Sequence, residues 1–534
     1  MNNAIHYTFL TSRAGEIVPA IINKDGSVRP LHSTVDPLRE AQRIVSTIPP
    51  DTGFVIFLGL GGGFAPQAAL SNTAAQIAVI DFNKDGVKEL LSSKDYSPLL
   101  NSGRFTLLTD FAFDEIKNFI LENYNPTLCG GIKVIPMRTR TEHDPEKFEK
   151  SAAAIQEAIE TVSGDYTVQS HFGRRWFSNI IRNIKNERTE GISFFALKKE
   201  NPIQKIAIVA AGPSLDAQIH SLAEFKSHNG FILCADTALS VLLHNNIEPD
   251  AAVSIDCQHI SYYHFVGNLL GKNIPLILDM ASPPLLCQFS SLPVFFSGGH
   301  PLTRFISAHW RHFPQIDTSG GNVTYACLSI AEMLGAKHIT LFGADFSYVR
   351  SQSYARGTYI YPYFNRKQSR LSPAEAQMSA FLYRSPFLPN EDGQKKDFYE
   401  TASLRFYRKK LEEKASEMHA DIKCAPGFGA PINIACARKN AEMQNLIKIE
   451  NKTAIRGTDF LEQYRNDIAA LPTAGGDGNY LKKLNAKEKQ IFITLLPYAA
   501  AIKKRDASNK TTAEIIAATK HECIEQIDKI LETN

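Results

Sequence analysis

KIAIVAAGPSLDAQIHSLAEFKSHNGFILCADTALSVLLHNNIEPDAAVSIDCQ, residues 205–258, decides the fold. An apolar run from Lys205 to Ala210 meets Gly212-Pro213-Ser214, and an amphipathic segment follows. A second run, Phe231 to Cys234, ends on Asp236-Thr237, and a third, Ala251 to Ile255, ends on Asp256-Cys257-Gln258. The order is β-turn-α-β-α-β, with polar residues at the carboxyl end of every strand. In an open parallel sheet those ends form the crevice where ligands bind. Gly212 lets a phosphate approach the backbone, and the helix start beyond it offers unpaired N–H groups. The stretch reads as a phosphoryl- or nucleotide-binding site. The same tripeptide also serves as a plain turn with Ser214 as an N-cap.

Downstream, PLILDMAS, PVFFSGG and QIDTSGG continue the alternation, and NVTYACLSIAEMLGA leads as a helix into the strand KHITLFGADFSY. Strands alternating with helices on this scale predict an α/β fold with a doubly wound parallel sheet. Thr318-Ser319-Gly320-Gly321-Asn322, between a strand and a helix start, is a second candidate anion nest. Gly343-Ala344-Asp345 places a further acid just past a strand end. All three sets fall on strand ends of one predicted sheet, which is where binding groups converge.

The amino-terminal region carries its own strand-to-helix turn. FVIFLGLGGGFAPQAAL runs into Gly59, Gly61, Gly62 and Gly63, and the next strand, QIAVID, ends at Asp81. A glycine-rich turn with an acid about 20 residues on is the pattern of a dinucleotide or adenosyl site. Gly59, Gly61, Gly63 and Asp81 are therefore a second candidate nucleotide site, or a Rossmann-like lobe whose glycines serve only tight packing. Upstream, Asp36-Pro37 reads as the cap and first turn of a helix. The chain divides by texture into 1–165, a Rossmann-like lobe; 166–204, a helical connector; 205–445, the central domain; and 446–534, a helical region with one loop at LPTAGGDGN. In the connector, Arg174, Arg175 and Arg182 are basic residues that either reach an anionic ligand or face solvent.

A chain of 534 residues exceeds one core, so several domains are expected. A net charge of +3, without a basic run or basic–aromatic stripe, gives no case for nucleic acid. The start, MNNAIHYTFL, has no signal-peptide pattern, and no apolar stretch reaches a membrane span of about 18 residues. The eight cysteines form no CxxC pair or Cys/His cluster, so reduced thiols of a cytoplasmic protein are expected.

The set GPSLD, CADTAL, EPDAAVSIDCQ, TSGGNVTYACLSIAEMLGAKHITLFGADFSY and CAPGFGAPIN resembles the motility-associated factor (Maf) glycosyltransferases. Their central domain is shared with MptE-like hydroxymethylpterin pyrophosphokinases and is similar to bacterial sialyltransferases. LHSTVDPLREAQRI and FLGLGGGF extend the resemblance over roughly residues 5–440. It implies a cytoplasmic enzyme that moves a nonulosonic, sialic-like acid from a CMP-activated donor to Ser or Thr of flagellin. By the same resemblance Gly212-Pro213-Ser214 meets the nucleotide phosphate and ribose, and Ser319-Gly320 contacts the donor. Gly343, Asp345 and Phe346 match the Gly-x-Asp-Phe strand end, and Tyr354 the tyrosine facing the phosphate. Two departures stand out: Ala211 replaces the Asn that precedes Gly-Pro-Ser, and 351–400 contains no His to act as base.

Transfer needs a stabilised CMP phosphate and a base for the acceptor hydroxyl. Asp236, Asp256 and Asp345 are the acids available, with Asp256 first for base or divalent-cation ligand, and His259 and His300 as outside candidates. Thr237, Gln258, Gly321 and Asn322 complete the expected donor contacts. Two rivals remain: a pyrophosphokinase holding ATP and Mg²⁺ through Asp236 and Asp256, and a non-catalytic flagellin-binding protein on the same fold.

Overall fold

The structure is a computed structural model that describes residues 7–23, 25–187, 203–267, 274–389, 397–434, 455–474, 480–506 and 510–533. The chain forms two compact units, one of Met1–Arg174 with Ile468–Cys523 and one of Arg175–Asp467 with Ile524–Asn534. The helical region read from residue 446 onward is thus shared between them, and its residues 446–454 lie outside the described residues.

The first unit opens with an antiparallel sheet of β1 (Tyr7–Thr11), β2 (Ile17–Ile22) and β3 (Val28–Pro30). Asp36 then caps the helix Pro37–Val45, its carboxylate accepting from the Arg39 N–H. Four parallel strands follow: β4 (Thr52–Leu58), β5 (Gln76–Asp81), β6 (Phe105–Thr109) and β7 (Gly131–Pro136), in spatial order β6-β5-β4-β7. Val55, Ile56, Phe57 and Val79 are fully buried, as expected of strands covered on both faces. The helix Ala486–Arg505 belongs to this unit and buries Ile491, Phe492, Leu495, Tyr498 and Ile502. Its Lys503 Nζ donates to the Pro126 and Thr127 carbonyls, at 2.5 and 3.1 Å.

In the second unit the parallel strands are β8 (Lys205–Val209), β9 (Phe231–Ala235), β10 (Ala251–Ser254), β11 (Leu276–Asp279), β12 (Pro293–Phe296) and β13 (His338–Phe342). A small antiparallel pair, β14 (Tyr348–Val349) with β15 (Phe398–Tyr399), precedes β16 (Asp421–Cys424). The spatial order is β12-β11-β10-β9-β8-β13-β16, so the chain reverses direction across the sheet between β8 and β13. That is the switch point of a doubly wound sheet. QIDTSGG, read as strand, contributes one bridge, Gln315 to Ser297. A helix running from Pro145 to Asn186 supplies the second unit's opening residues. Its Asn179 amide donates to the Cys257 and Ala281 carbonyls (3.2 and 2.8 Å), and Asn183 to those of Met280 and Ser282 (2.9 and 2.8 Å). Two buried amides thereby fix the backbone just beyond β10 and β11.

Candidate functional site

The loops at the switch point are joined to each other. The Gly212 N–H donates to the Gly343 carbonyl at 2.8 Å, and the Ser214 N–H to Asp345 Oδ2 at 2.7 Å. The Ser214 hydroxyl accepts the Phe428 N–H at 2.8 Å. A Cβ on Gly212 would lie 2.4 Å from Asp345 Oδ2, and one on Gly429 would lie 2.5 Å from the Asp345 Cα. Burial raises the Asp345 pKa, while the Ser214 and Gly429 contacts hold it back. Asp345, Gly212 and Ser214 thus tie β8, β13 and the CAPGFGAPIN segment together, and Pro213 is buried in the same turn. The Ala211 carbonyl accepts the Ala355 N–H at 2.9 Å, and Asp216 accepts the Arg356 N–H at 2.9 Å. Ser240 donates to the Gly357 carbonyl at 2.8 Å, so residues 355–357 are pinned over the strand ends.

Beside this latch lies a buried polar cluster. Asp236, 2% exposed, accepts the Ser254 hydroxyl at 2.6 Å on one oxygen and the Thr237 N–H at 2.7 Å on the other. Burial raises its pKa; His264 and the two hydrogen bonds oppose the rise, and Asp256 adds to it. His264 is buried, stands edge-on to Tyr359 at 4.4 Å, and its Nδ1 has no hydrogen-bond partner among the described residues. Tyr354 lies 6.3 Å from Tyr359, and burial raises the pKa of both phenols, with Asp236 adding to the rise and Arg384 opposing it. Asp236, Asp256, His264, Tyr354, Tyr359 and Arg384 therefore share one electrostatic neighbourhood at the ends of β9 and β10. Asp256 itself is half-buried and accepts the Gln258 N–H at 2.9 Å in a local turn. On β11, Asp279 is buried, accepts the Ala281 N–H at 2.7 Å, and has its pKa pushed up to about 7 by burial.

The Thr318–Asn322 turn starts the helix Val323–Met333. Asn322 caps the Tyr325 N–H at 3.0 Å, and the Tyr325 hydroxyl donates to Asp317 at 2.6 Å. Ser319 is exposed, and the Thr318 hydroxyl donates to the Gly298 carbonyl at 3.1 Å. First-turn N–H groups at Val323 and Thr324 are of the kind a helix leaves for an anion. A Cβ on Gly320 would lie 2.2 Å from the Tyr325 ring, and one on Gly321, whose φ is +71°, would lie 3.0 Å from Tyr407. A side chain at 320 would displace Tyr325 before it reached any ligand. His300 caps the helix Pro301–His309 through Nδ1, and burial pushes its pKa down to about 3. His259 is exposed beside Tyr262.

The amino-terminal glycine turn is filled by the chain's own side chains. Asp81 is fully buried and pairs with Arg140 at 2.7 Å, and its other oxygen accepts the Leu60 N–H at 2.9 Å. A Cβ on Gly59 would meet Arg140, on Gly61 His32, and on Gly63 Tyr96, each within 2.7 Å. Arg140 follows β7, so it closes the switch point between β4 and β7 from across the sheet. These contacts account for the glycines by close packing.

Sequence reasoning passed over His264, Tyr359, Ser254 and Asp279. Asp279 carried the same signal as Asp236, an acid ending an apolar run. His264, in SYYHF, carried none, because only the fold brings it to Asp236.

Residues 178–351 match the family described as 6-hydroxymethylpterin diphosphokinase MptE-like. A solved Maf glycosyltransferase from Magnetospirillum magneticum AMB-1 aligns with a TM-score of 0.55 over 98% of this chain and 92% of that one, at 14% identity. The chain has the Maf fold. Three uncharacterized proteins of Treponema pallidum (strain Nichols) are similar in sequence. One is 41% identical over 93 residues, 17% of this chain and 33% of the relative. Another is 27% identical over 176 residues, 33% of this chain and 82% of the relative, and a third 27% over 216 residues, 40% and 37%. The chain thus spans well under half of the first and third. Within the Maf fold, the β9–β10 cluster occupies the carboxyl edge where α/β sheets bind ligands. Among the described residues, no described helix is long and apolar enough to cross a membrane, and no three His, Cys, Asp or Glu are grouped to hold a metal ion.

Proposed function

We propose that the chain is a glycosyltransferase that moves a nonulosonic acid from a CMP-activated donor to a Ser or Thr hydroxyl of flagellin in the cytoplasm. The observation that carries the reading is the buried His264, with an unpartnered ring nitrogen, beside Asp236 at the edge where ligands enter such sheets. In the transfer the acceptor oxygen bonds to the anomeric carbon as the bond from that carbon to the CMP phosphate oxygen breaks. CMP leaves with that electron pair, and the acceptor proton passes to the unpartnered ring nitrogen of His264. Asp256 is the second carboxylate of the crevice. Tyr354, Tyr359 and Arg384, with the Thr318–Asn322 turn, supply donors for the leaving phosphate. This assigns to a histidine in the short helix Tyr262–Phe265 the role for which 351–400 holds none. Asp236 spends both carboxylate oxygens inside the fold, so the acids do not make a ready divalent-cation site, and no step is derived through one.

The match of residues 178–351 to MptE-like proteins favours a second reading, a pyrophosphokinase that takes ATP. Calorimetric titration of the full chain with CMP, and with ATP plus Mg²⁺, separates the two. Binding of CMP alone is expected; binding of ATP with CMP silent would replace the first reading by the second. In a flagellin glycosylation assay His264→Gln should lower turnover by roughly 100-fold or more while CMP affinity holds. Full turnover in that variant would remove His264 as base.

A further inference from the structure

Arg175 and Arg182 belong to a part of the second unit that the transfer reading does not use. They stand seven residues apart in the helix Pro145–Asn186, nearly two full turns, so their Cα atoms lie on one face about 10 Å apart. Neither makes a hydrogen bond or ion pair among the described residues. Both line a cleft of about 1000 Å³ together with Asn179, Lys185, His259 and Lys529. No carboxylate is among the described residues that line it. Lys185 donates to the Thr533 carbonyl, and Lys529 pairs with Glu525 in an exposed contact that contributes little. The cleft therefore keeps a positive field, which apolar walls strengthen: Pro283, Pro284 and Leu285 form one side. Its position is fixed by the buried Asn179 and Asn183 amides, which hold the backbone around Cys257 and Ala281.

We propose that this cleft binds a hydroxyl-rich oxyanion, a sugar acid or a sugar phosphate. The cations fit carboxylate or phosphate oxygens, and a single guanidinium does so with bidentate geometry. The volume exceeds what a bare phosphate needs and suits a ligand of sugar size or larger. Amide and hydroxyl groups of Ser178, Asn186 and Thr533 supply partners for sugar hydroxyls. Among the described residues His259 is the only aromatic ring in the lining, and Tyr262 stacks beside it at 6.0 Å and 11°. The described lining therefore offers no aromatic pair to sandwich a nucleobase. The inference goes beyond the transfer reading and does not depend on which nucleotide enters the crevice.

The test titrates the full chain with N-acetylneuraminate, glucose 1-phosphate, inorganic phosphate and a hexaglutamate peptide, with CMP measured separately. Binding of at least one sugar anion is expected, tighter than inorganic phosphate and weakened by salt. The double variant R175Q/R182Q should weaken it by roughly tenfold or more with CMP affinity unchanged. The neuraminate and glucose phosphate arms tell a carboxylate ligand from a phosphate one. On the wild-type chain, the bound sugar anion should protect Arg175 and Arg182 from phenylglyoxal, read by mass spectrometry, so a variant that fails to fold leaves the test intact. Equal affinity in the folded double variant overturns the proposal. So do unprotected arginines, inorganic phosphate binding as tightly as either sugar, and binding of the peptide alone. Loss of CMP binding with sugar binding kept would instead strike the transfer reading.

Discussion

Asp279 shows how burial alone converts a strand-end carboxylate into a pH-sensitive element. In the unfolded chain it ionises near pH 4, whereas in the fold it does so near 7. Below pH 4 it is protonated in both states and carries no penalty. As pH rises from about 4 to 7 the unfolded state releases its proton first, so stability falls and the loss levels off above 7. Asp279→Asn keeps an acceptor for the Ala281 N–H and removes the charge. It should be more stable than the wild type at pH 8, by up to about 4 kcal/mol, with the difference shrinking toward pH 5. Urea unfolding at the two pH values measures this, and an equal difference at both would mean that Asp279 ionises normally. The same residue marks a boundary of what the sequence discloses. Acids ending apolar runs are visible, and Asp236 and Asp256 were read on that ground. That Ser254 takes the second Asp236 oxygen, or that His264 acts on its charge, depends on residues 18 and more positions away, which no local pattern encodes.

Elements were more legible than residues where burial imposes a simple pattern. Strands β8 to β11 are covered on both faces and read as unbroken apolar runs. The glycine turn after β4 was equally visible, but what fills it was not, since Arg140 comes from beyond β7, about 80 residues later. A turn that suits a phosphate also suits a guanidinium stem, and only the packed structure chooses between them. Glycine has a different task at position 173, inside the helix Pro145–Asn186. A Cβ there would lie 1.8 Å from the Pro497 carbonyl oxygen, so that helix and Ala486–Arg505 meet backbone to backbone. An exposed helix would gain from Gly→Ala. Gly173→Ala should instead destabilise the first unit by about 3 kcal/mol, because neither backbone can give way cheaply. Thermal melting would show it as a lowered transition; a raised one would mean that the two helices separate easily.

At the scale of the whole chain, the helical region from residue 446 is not a detachable arm. Residues 468–523 complete the first unit and 524–534 belong to the second. A chain ending near residue 445 loses Ile491, Phe492, Leu495, Tyr498 and Ile502 from the first unit, each worth about 1.5–3 kcal/mol of burial. Such a chain should aggregate and lose the first unit's cooperative transition in calorimetry, whereas an unchanged transition would show the helix to be dispensable. Acceptor docking is therefore better tested with substitutions on exposed faces of the full chain than by truncation.

The same interleaving sets a schedule during synthesis. Strand β7 ends at Pro136, but the helix that packs against Gly173 is not made until after the whole of Arg175–Asp467 has been translated. At about 5–20 residues per second those intervening residues take on the order of 15–60 s. Throughout that interval the apolar surface that helix Ala486–Arg505 will cover stays open to chaperones and to neighbouring nascent chains. Although its strands leave the ribosome before those of the second unit, the amino-terminal unit can close only after the whole of Arg175–Asp467 and the helix beyond it have followed.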